Sequence, residues 1–164
     1  GKISSLGAQD YVNVLNCPLS NLAQTEYSFD TIIYIDVLEH IKNDVVELEI
    51  ASQFLKPSGH LIVLSPAYQF LYSPFDKSVG HFRRYNRNTL TKVAPVNLKL
   101  LKCEYLDCIG LFASLVNKLF LKKDVPTYGQ IKTWDRLMIP LSLIFDKLIL
   151  NSFGRSIYAV WEKK

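Results

Sequence analysis

Cysteine is scarce in this chain of 164 residues, and the three present, Cys17, Cys103 and Cys108, show no paired Cys-x-x-Cys spacing. That usage speaks against a disulfide framework or a zinc site, so no metal ligand is expected and a reducing cytoplasm fits best. Charge of one sign never accumulates: the net charge of +4 is scattered, with only short basic clusters at Lys122-Lys123 and Arg83-Arg84. Nucleic acid is therefore not an expected partner. Gly1 to Tyr11 has neither the basic start nor the apolar core of a signal peptide. The greasiest late segment, Leu137 to Leu150, is interrupted by Pro140, Asp146 and Lys147 and falls short of the roughly 20 apolar residues of a membrane span. No internal repeat is found.

What is there is an apolar fraction of 49%, enough for a single domain over residues 1–164 with its own core. Val12, Val14 and Leu15 suggest a short strand ending at Asn16-Cys17-Pro18. Thr31 to Ile35 is β-branched or aromatic throughout, the mark of a parallel strand covered on both faces. Asn43 or Asp44 is placed to cap a helix carrying Val45, Leu48, Ala51, Phe54 and Leu55 at helical spacing. Lys56-Pro57-Ser58-Gly59 stops it, with Gly59 left for a left-handed cap, and Leu61 to Leu64 is the next strand. Ser65 to Tyr85 reads as a long loop of a length that is usually functional. Asn86 or Asn88 caps a helix to Val93, Pro95 ends it, and Leu98 to Leu106 is a strand. Helices near Leu111 to Leu121 and Thr133 to Leu150 make residues 107–154 a helical insertion before a last strand, Ser156 to Trp161, that is able to pair with the Leu98 strand.

The most informative stretch is Phe29 to Ile41, where an apolar strand runs straight into the acidic turn Asp36-Val37-Leu38-Glu39-His40. In open α/β sheets small ligands bind at such a junction. Together with Lys56-Pro57-Ser58-Gly59 before a strand and Gly80-His81-Phe82-Arg83-Arg84-Tyr85 after it, this stretch resembles the carboxyl-terminal portion of a class I S-adenosylmethionine-dependent methyltransferase. The resemblance implies an α/β, Rossmann-like fold with a mainly parallel sheet flanked by helices and an antiparallel last strand. It also implies S-adenosylmethionine as cofactor, bordered by Asp36, Val37, Leu38 and His40, with Cys17 and Pro18 near the adenine. Two departures stand out. No GxGxG loop occurs in Gly1 to Asn16, and Asn16-Cys17-Pro18 stands where many relatives have an acidic residue. The fold is thus expected to be incomplete, lacking its first strands, and to leave an unpaired apolar edge at Thr31 to Ile35. A lost preceding segment, a second chain, or a rearranged amino-terminal strand would cover it.

Methyl transfer from a sulfonium chiefly needs alignment of the reactants and exclusion of water. For a hydroxyl acceptor, His81 is the first candidate base, against a loop histidine bonded to backbone; Tyr85 is placed beside it in catalysis. His40 reads more readily as fixing the turn, and His60 as surface. Arg83 and Arg84 are expected to hold an anionic acceptor through forked hydrogen bonds, with pairing to Asp76 or Glu39 as the competing explanation. Pro66 and Tyr68, with Phe70, Tyr72, Phe75 and Tyr85, are candidates to line an acceptor pocket, although aromatic residues in a long loop more often pack it onto the core. The apolar faces of Leu111 to Leu121 and Leu137 to Leu150, with lysines nearby, allow peripheral membrane contact or a lipid-linked acceptor; core packing is the commoner cause of such faces. The expected activity is methylation of a small molecule, at oxygen. The alternatives are a non-catalytic methyltransferase-like partner subunit and a fragment unable to bind the cofactor alone.

Overall fold

The computed structural model describes residues 15–24, 27–116, 129 and 134–164. Val12 and Val14 of the expected first strand lie outside them, as do residues 117–121 of the first late helix. Among the described residues four strands form one sheet: β1 (Phe29–Ile35), β2 (Leu55–Pro66), β3 (Leu98–Leu106) and β4 (Ser156–Lys163). Their order is β1-β2-β4-β3. β1 and β2 run parallel, with Tyr34 opposite Val63, while β4 lies antiparallel between β2 and β3. The last strand thus pairs with the Leu98 strand, as expected, and also with β2.

The parallel pair needs a crossover, which α1 (Asp44–Gln53) supplies on one face of the sheet. Leu48 and Ala51 of α1 are buried against Leu61 and Val63 of β2 and Ile157, Ala159 and Trp161 of β4, and α3 (Arg87–Lys92) adds Leu90 to the same core. Period-two burial in β2 and β4 selects those residues. Asn86, the first of the two expected caps, begins α3: its Oδ1 accepts from the Thr89 backbone N–H at 2.9 Å, and Thr89 Oγ1 accepts from the Asn86 N–H at 2.8 Å.

Three local expectations are corrected. β1 is not covered on both faces: only Tyr34 is buried, and Ile33 and Ile35 are more than half exposed, because no strand lies beyond β1 and nothing packs its second face among the described residues. The Lys56–Gly59 stretch is not a turn ahead of the strand but an irregularity inside β2, where pairing jumps from Phe29–Leu55 to Thr31–His60, and its left-handed residue is not Gly59. Ser58 takes the positive φ of 60°. Gly59 is needed for close approach instead, since a Cβ there would meet the Lys56 carbonyl oxygen at 2.8 Å and that of Asp30 at 3.2 Å. The Ser65 to Tyr85 segment is also more ordered than a loop, holding a 3-10 turn at Gln69–Leu71 and the helix α2 (Pro74–Ser78).

Between β3 and β4 lie α4 (Cys108–Val116), a π-turn at Trp134–Met138, and α5 (Ile139–Leu148). Core packing does not explain the apolar residues of α5. Its buried side chains are Ser142 and Asp146, while Leu143, Ile144 and Leu148 are exposed at 60%, 60% and 71%. Asp146 receives the first backbone N–H groups at the α4 start, from Asp107 at 2.7 Å and Cys108 at 2.9 Å. Ser142 donates to Asp107 Oδ1 at 2.7 Å. The unsatisfied amides of the α4 N-terminus therefore decide which face of α5 turns inward. No described helix is long and apolar enough to cross a membrane.

Candidate functional site

The carboxyl end of β1 turns at Asp36. Asp36 adopts φ 51°, a left-handed conformation that aspartate tolerates, while its N–H donates to the Leu64 carbonyl at 3.0 Å. The chain then tightens into the 3-10 turn Leu38–His40, with Leu38 and Glu39 buried. Asp36 and Val37 are exposed at the rim, and His40 with them. Of the cofactor-side candidates, Leu38 is a core residue. Cys17 and Pro18 lie exposed just ahead of the 3-10 turn Leu19–Gln24.

Glu39 ties this turn to the two segments beside it. Its Oε2 accepts from Ser65 Oγ at 2.9 Å near the end of β2, and its carbonyl accepts from the Phe82 N–H at 2.8 Å. Its Oε1 is buried with no hydrogen-bond partner among the described residues. Burial pushes the Glu39 pKa up, only partly opposed by hydrogen bonds from the backbone and Ser65.

The Gly80–Tyr85 segment is organised around Asp76, a fully buried carboxylate. Ser73 donates to its Oδ2 from both backbone N–H and Oγ, each at 2.9 Å. Arg84 forks onto it, Nε to Oδ1 at 2.8 Å and Nη2 to Oδ2 at 2.9 Å. His81 Nδ1 lies 2.9 Å from Oδ1. Burial alone would raise the Asp76 pKa, but the hydrogen bonds from Arg84, His81 and Ser73 outweigh it and hold the group down to about 2. An ionised Asp76 only accepts, so the Nδ1 proton of His81 points at it, and Nε2 lies 3.9 Å from Glu39 Oε1. The His81 ring meets that of His40 edge-on, centroids 4.5 Å apart.

Several predicted roles are corrected by these contacts. Arg84 gives its fork to Asp76, the competing explanation, and Arg83 pairs with Asp44 and donates to the Lys42 carbonyl at 2.7 Å; both guanidiniums have carboxylate partners within the chain. Tyr85 is 1% exposed and donates to Asp44 Oδ2 at 2.7 Å, so its hydroxyl lies in the core and is already engaged. Tyr68, at φ 62°, stacks on Tyr105 with centroids 4.9 Å apart, and burial pushes its pKa up to about 12. The Pro66 carbonyl accepts from the Tyr85 N–H at 3.0 Å, and the Tyr85 carbonyl from the Tyr68 N–H at 2.7 Å. His81 and His40 are thus brought to one place, and Tyr68 and Pro66 join the loop behind them.

Glu39, Asp76 and Arg155 were not singled out for function by the sequence. Asp76 had a signal: Ser73-Pro74-Phe75-Asp76 is a helix-start pattern with an acid at the third helical position. Arg155 follows the insertion; burial lowers its pKa, countered by Asp107, Asp36 and Asp76. Nothing in the sequence marks its approach to those carboxylates.

No protein-family model matches the chain, and no curated protein does. Solved structures do. A putative sarcosine dimethylglycine methyltransferase from Galdieria sulphuraria aligns over 89% of this chain and 57% of its own, with 13% identity and a TM-score of 0.51. A SAM-dependent methyltransferase from Archaeoglobus fulgidus aligns over 92% of this chain and 66% of its own, with 17% identity and a TM-score of 0.50. The chain has the Rossmann-like fold of the S-adenosylmethionine-dependent methyltransferases, with a mixed parallel and antiparallel sheet flanked by helices. It spans 57% and 66% of the lengths of these two structures.

Proposed function

We propose that the protein transfers a methyl group from S-adenosylmethionine to an oxygen of a small-molecule acceptor. The observation that supports this reading is His81, whose Nδ1 lies 2.9 Å from Asp76 Oδ1 and whose ring meets that of His40, in the turn that follows the left-handed Asp36 at the carboxyl end of β1. The acceptor oxygen forms a bond to the methyl carbon as the carbon–sulfur bond breaks. The sulfonium becomes a neutral thioether, and the hydroxyl proton passes to His81 Nε2, giving an imidazolium paired with Asp76. Asp36, Val37 and His40 border the methionine end of the cofactor in this reading. A second chain laid along the β1 edge, unpaired among the described residues, would be in reach of the adenosine end.

Calorimetry with S-adenosylmethionine and S-adenosylhomocysteine tests the cofactor, and methyl transfer to a panel of hydroxylated acceptors tests the chemistry. Micromolar binding, with His81→Asn lowering kcat by about 100-fold or more at unchanged cofactor affinity, is the expected result. Failure to bind either cofactor form favours the non-catalytic partner subunit.

A second reading concerns the acceptor, and the exposed Leu143, Ile144 and Leu148 on α5 favour it. With the exposed Lys147 on the same helix, this face suits the surface of an anionic bilayer and an acceptor carried on a lipid. Flotation with anionic vesicles tests it: protein left in the soluble fraction ends the idea.

A further inference from the structure

The orphaned oxygen of Glu39 has a use beyond proton transfer. We propose that Glu39, His40 and His81 form a binding site for one divalent first-row transition-metal ion, with two imidazole nitrogens and one carboxylate oxygen as protein ligands. One ligand atom from each of the three residues lies within 4.8 Å of the other two, and Glu39 Oε1 and His81 Nε2 are 3.9 Å apart. Bonds of about 2.0–2.2 Å place ligands about 3.0–3.5 Å from one another. The gap is small enough for side-chain rotation to close, above all at the exposed His40.

Two independent features point to an ion. Glu39 is wholly buried, yet Oε1 has no hydrogen-bond partner among the described residues while Oε2 is anchored by Ser65; a buried, half-satisfied carboxylate is costly unless a cation completes it. His81 is also already oriented as metal-bound histidines are, with Nδ1 on the buried carboxylate of Asp76 and Nε2 turned to the site. Such a carboxylate behind the imidazole fixes the tautomer and raises the ligand's basicity.

The donor set decides which ions fit. Two nitrogens and one oxygen suit Zn²⁺, Fe²⁺, Co²⁺ or Ni²⁺, whereas Mg²⁺ and Ca²⁺ prefer oxygen alone. Three protein ligands leave positions open to water or to an acceptor oxygen, and His40 faces solvent, which gives the ion an entry path. Nε2 cannot hold an ion and take the acceptor's proton at once, so an ion bound here would block His81 as the base of methyl transfer. That last consequence rests on the methyl-transfer reading; the site itself does not.

The test is a titration of the untagged, chelator-stripped full chain with Co²⁺ and then Zn²⁺, without S-adenosylmethionine, so that its result is independent of cofactor binding. The visible absorption of bound Co²⁺ should appear at one ion per chain and be abolished by Zn²⁺ but not by excess Mg²⁺. His40→Ala, at an exposed position, and Glu39→Gln, which keeps the side chain's shape, should each weaken binding by about tenfold or more with an unchanged circular dichroism spectrum. Absence of the band, or binding that both variants leave at the wild-type level, overturns the site. So does a band lost only with Cys17→Ser, which assigns the ion to a thiol.

Discussion

Asp76 Oδ1 and His81 Nδ1 stand 2.9 Å apart across a five-residue turn, and the carboxylate that makes this contact is sealed from solvent. The same carboxylate carries the fork of Arg84, so one buried charge both closes the loop and sets the histidine's tautomer. Asp76→Asn leaves Arg84, itself only 10% exposed at its side chain, without its counter-charge. A loss of about 3–5 kcal/mol is expected in urea unfolding, since breaking a buried pair strands the other ion. Adding Arg84→Leu should restore part of that loss, because the stranded charge is then gone. Imidazole nitrogen shifts should show a mixed tautomer at His81 in Asp76→Asn. A single unchanged tautomer would mean that Asp76 does not position the ring.

Tyr85 offers the opposite case, a residue whose place in the motif suggests chemistry and whose surroundings deny it. Its hydroxyl donates to Asp44, which Arg83 also engages, and burial with the Asp44 carboxylate raises its pKa far beyond the physiological range. Tyr85→Phe should cost about 1–2 kcal/mol of stability through the lost hydrogen bond. Methyl transfer should stay within a factor of about two of the wild-type kcat. A fall of about 100-fold in kcat with the melting temperature unchanged would return Tyr85 to the reacting centre.

The fold was more legible than the site, for a physical reason. Strand identity follows from runs of side chains: the β-branched or aromatic Thr31 to Ile35 and the partial period-two pattern of Leu98 to Leu106 point to their strands without reference to distant residues. Site chemistry depends on which charges meet after folding. Arg83 and Arg84 look alike in sequence, and only the burial of Asp76 and Asp44 shows that each already has a carboxylate. Glu39 was hidden in the same way, because an acid at the start of a helical turn normally faces water, whereas here the Phe82 N–H and Ser65 draw it inside. The exposure of Ile33 and Ile35 was foreseeable as an edge but not as a bare face, since alternation is absent from the run itself.

Backbone constraint at the β2 entry separates two neighbours that sequence treats as a unit. Gly59→Ala should destabilise by about 1–3 kcal/mol, because the new Cβ presses on the Lys56 carbonyl at 2.8 Å and backbone cannot yield as a side chain does. Ser58→Gly, where φ is 60°, should be neutral or stabilising by up to about 1 kcal/mol, as glycine removes the left-handed penalty but gains unfolded-state entropy. Chemical denaturation of the two variants checks the pair. Equal losses from both would place the strain at Gly59 after all.

Cys108 links the insertion to alkaline stability. It is 3% exposed, and burial, with the nearby Asp146 carboxylate adding to it, pushes its thiol from the ordinary 9.0 up to about 11. The folded state therefore holds the thiol proton more tightly than the unfolded chain. The stabilisation is complete below pH 9.0 and disappears as pH rises towards about 11; a shift of that size is worth about 2–3 kcal/mol. Cys108→Ala should flatten the fall in unfolding free energy across that interval while leaving its slope at neutral pH unchanged. Iodoacetamide at pH 8 should modify the exposed Cys17 in the native protein and reach Cys108 only on unfolding, for want of both access and thiolate. Rapid native alkylation of Cys108 would show instead that the α4–α5 junction opens readily, and the alkaline loss would then belong to that opening rather than to the thiol.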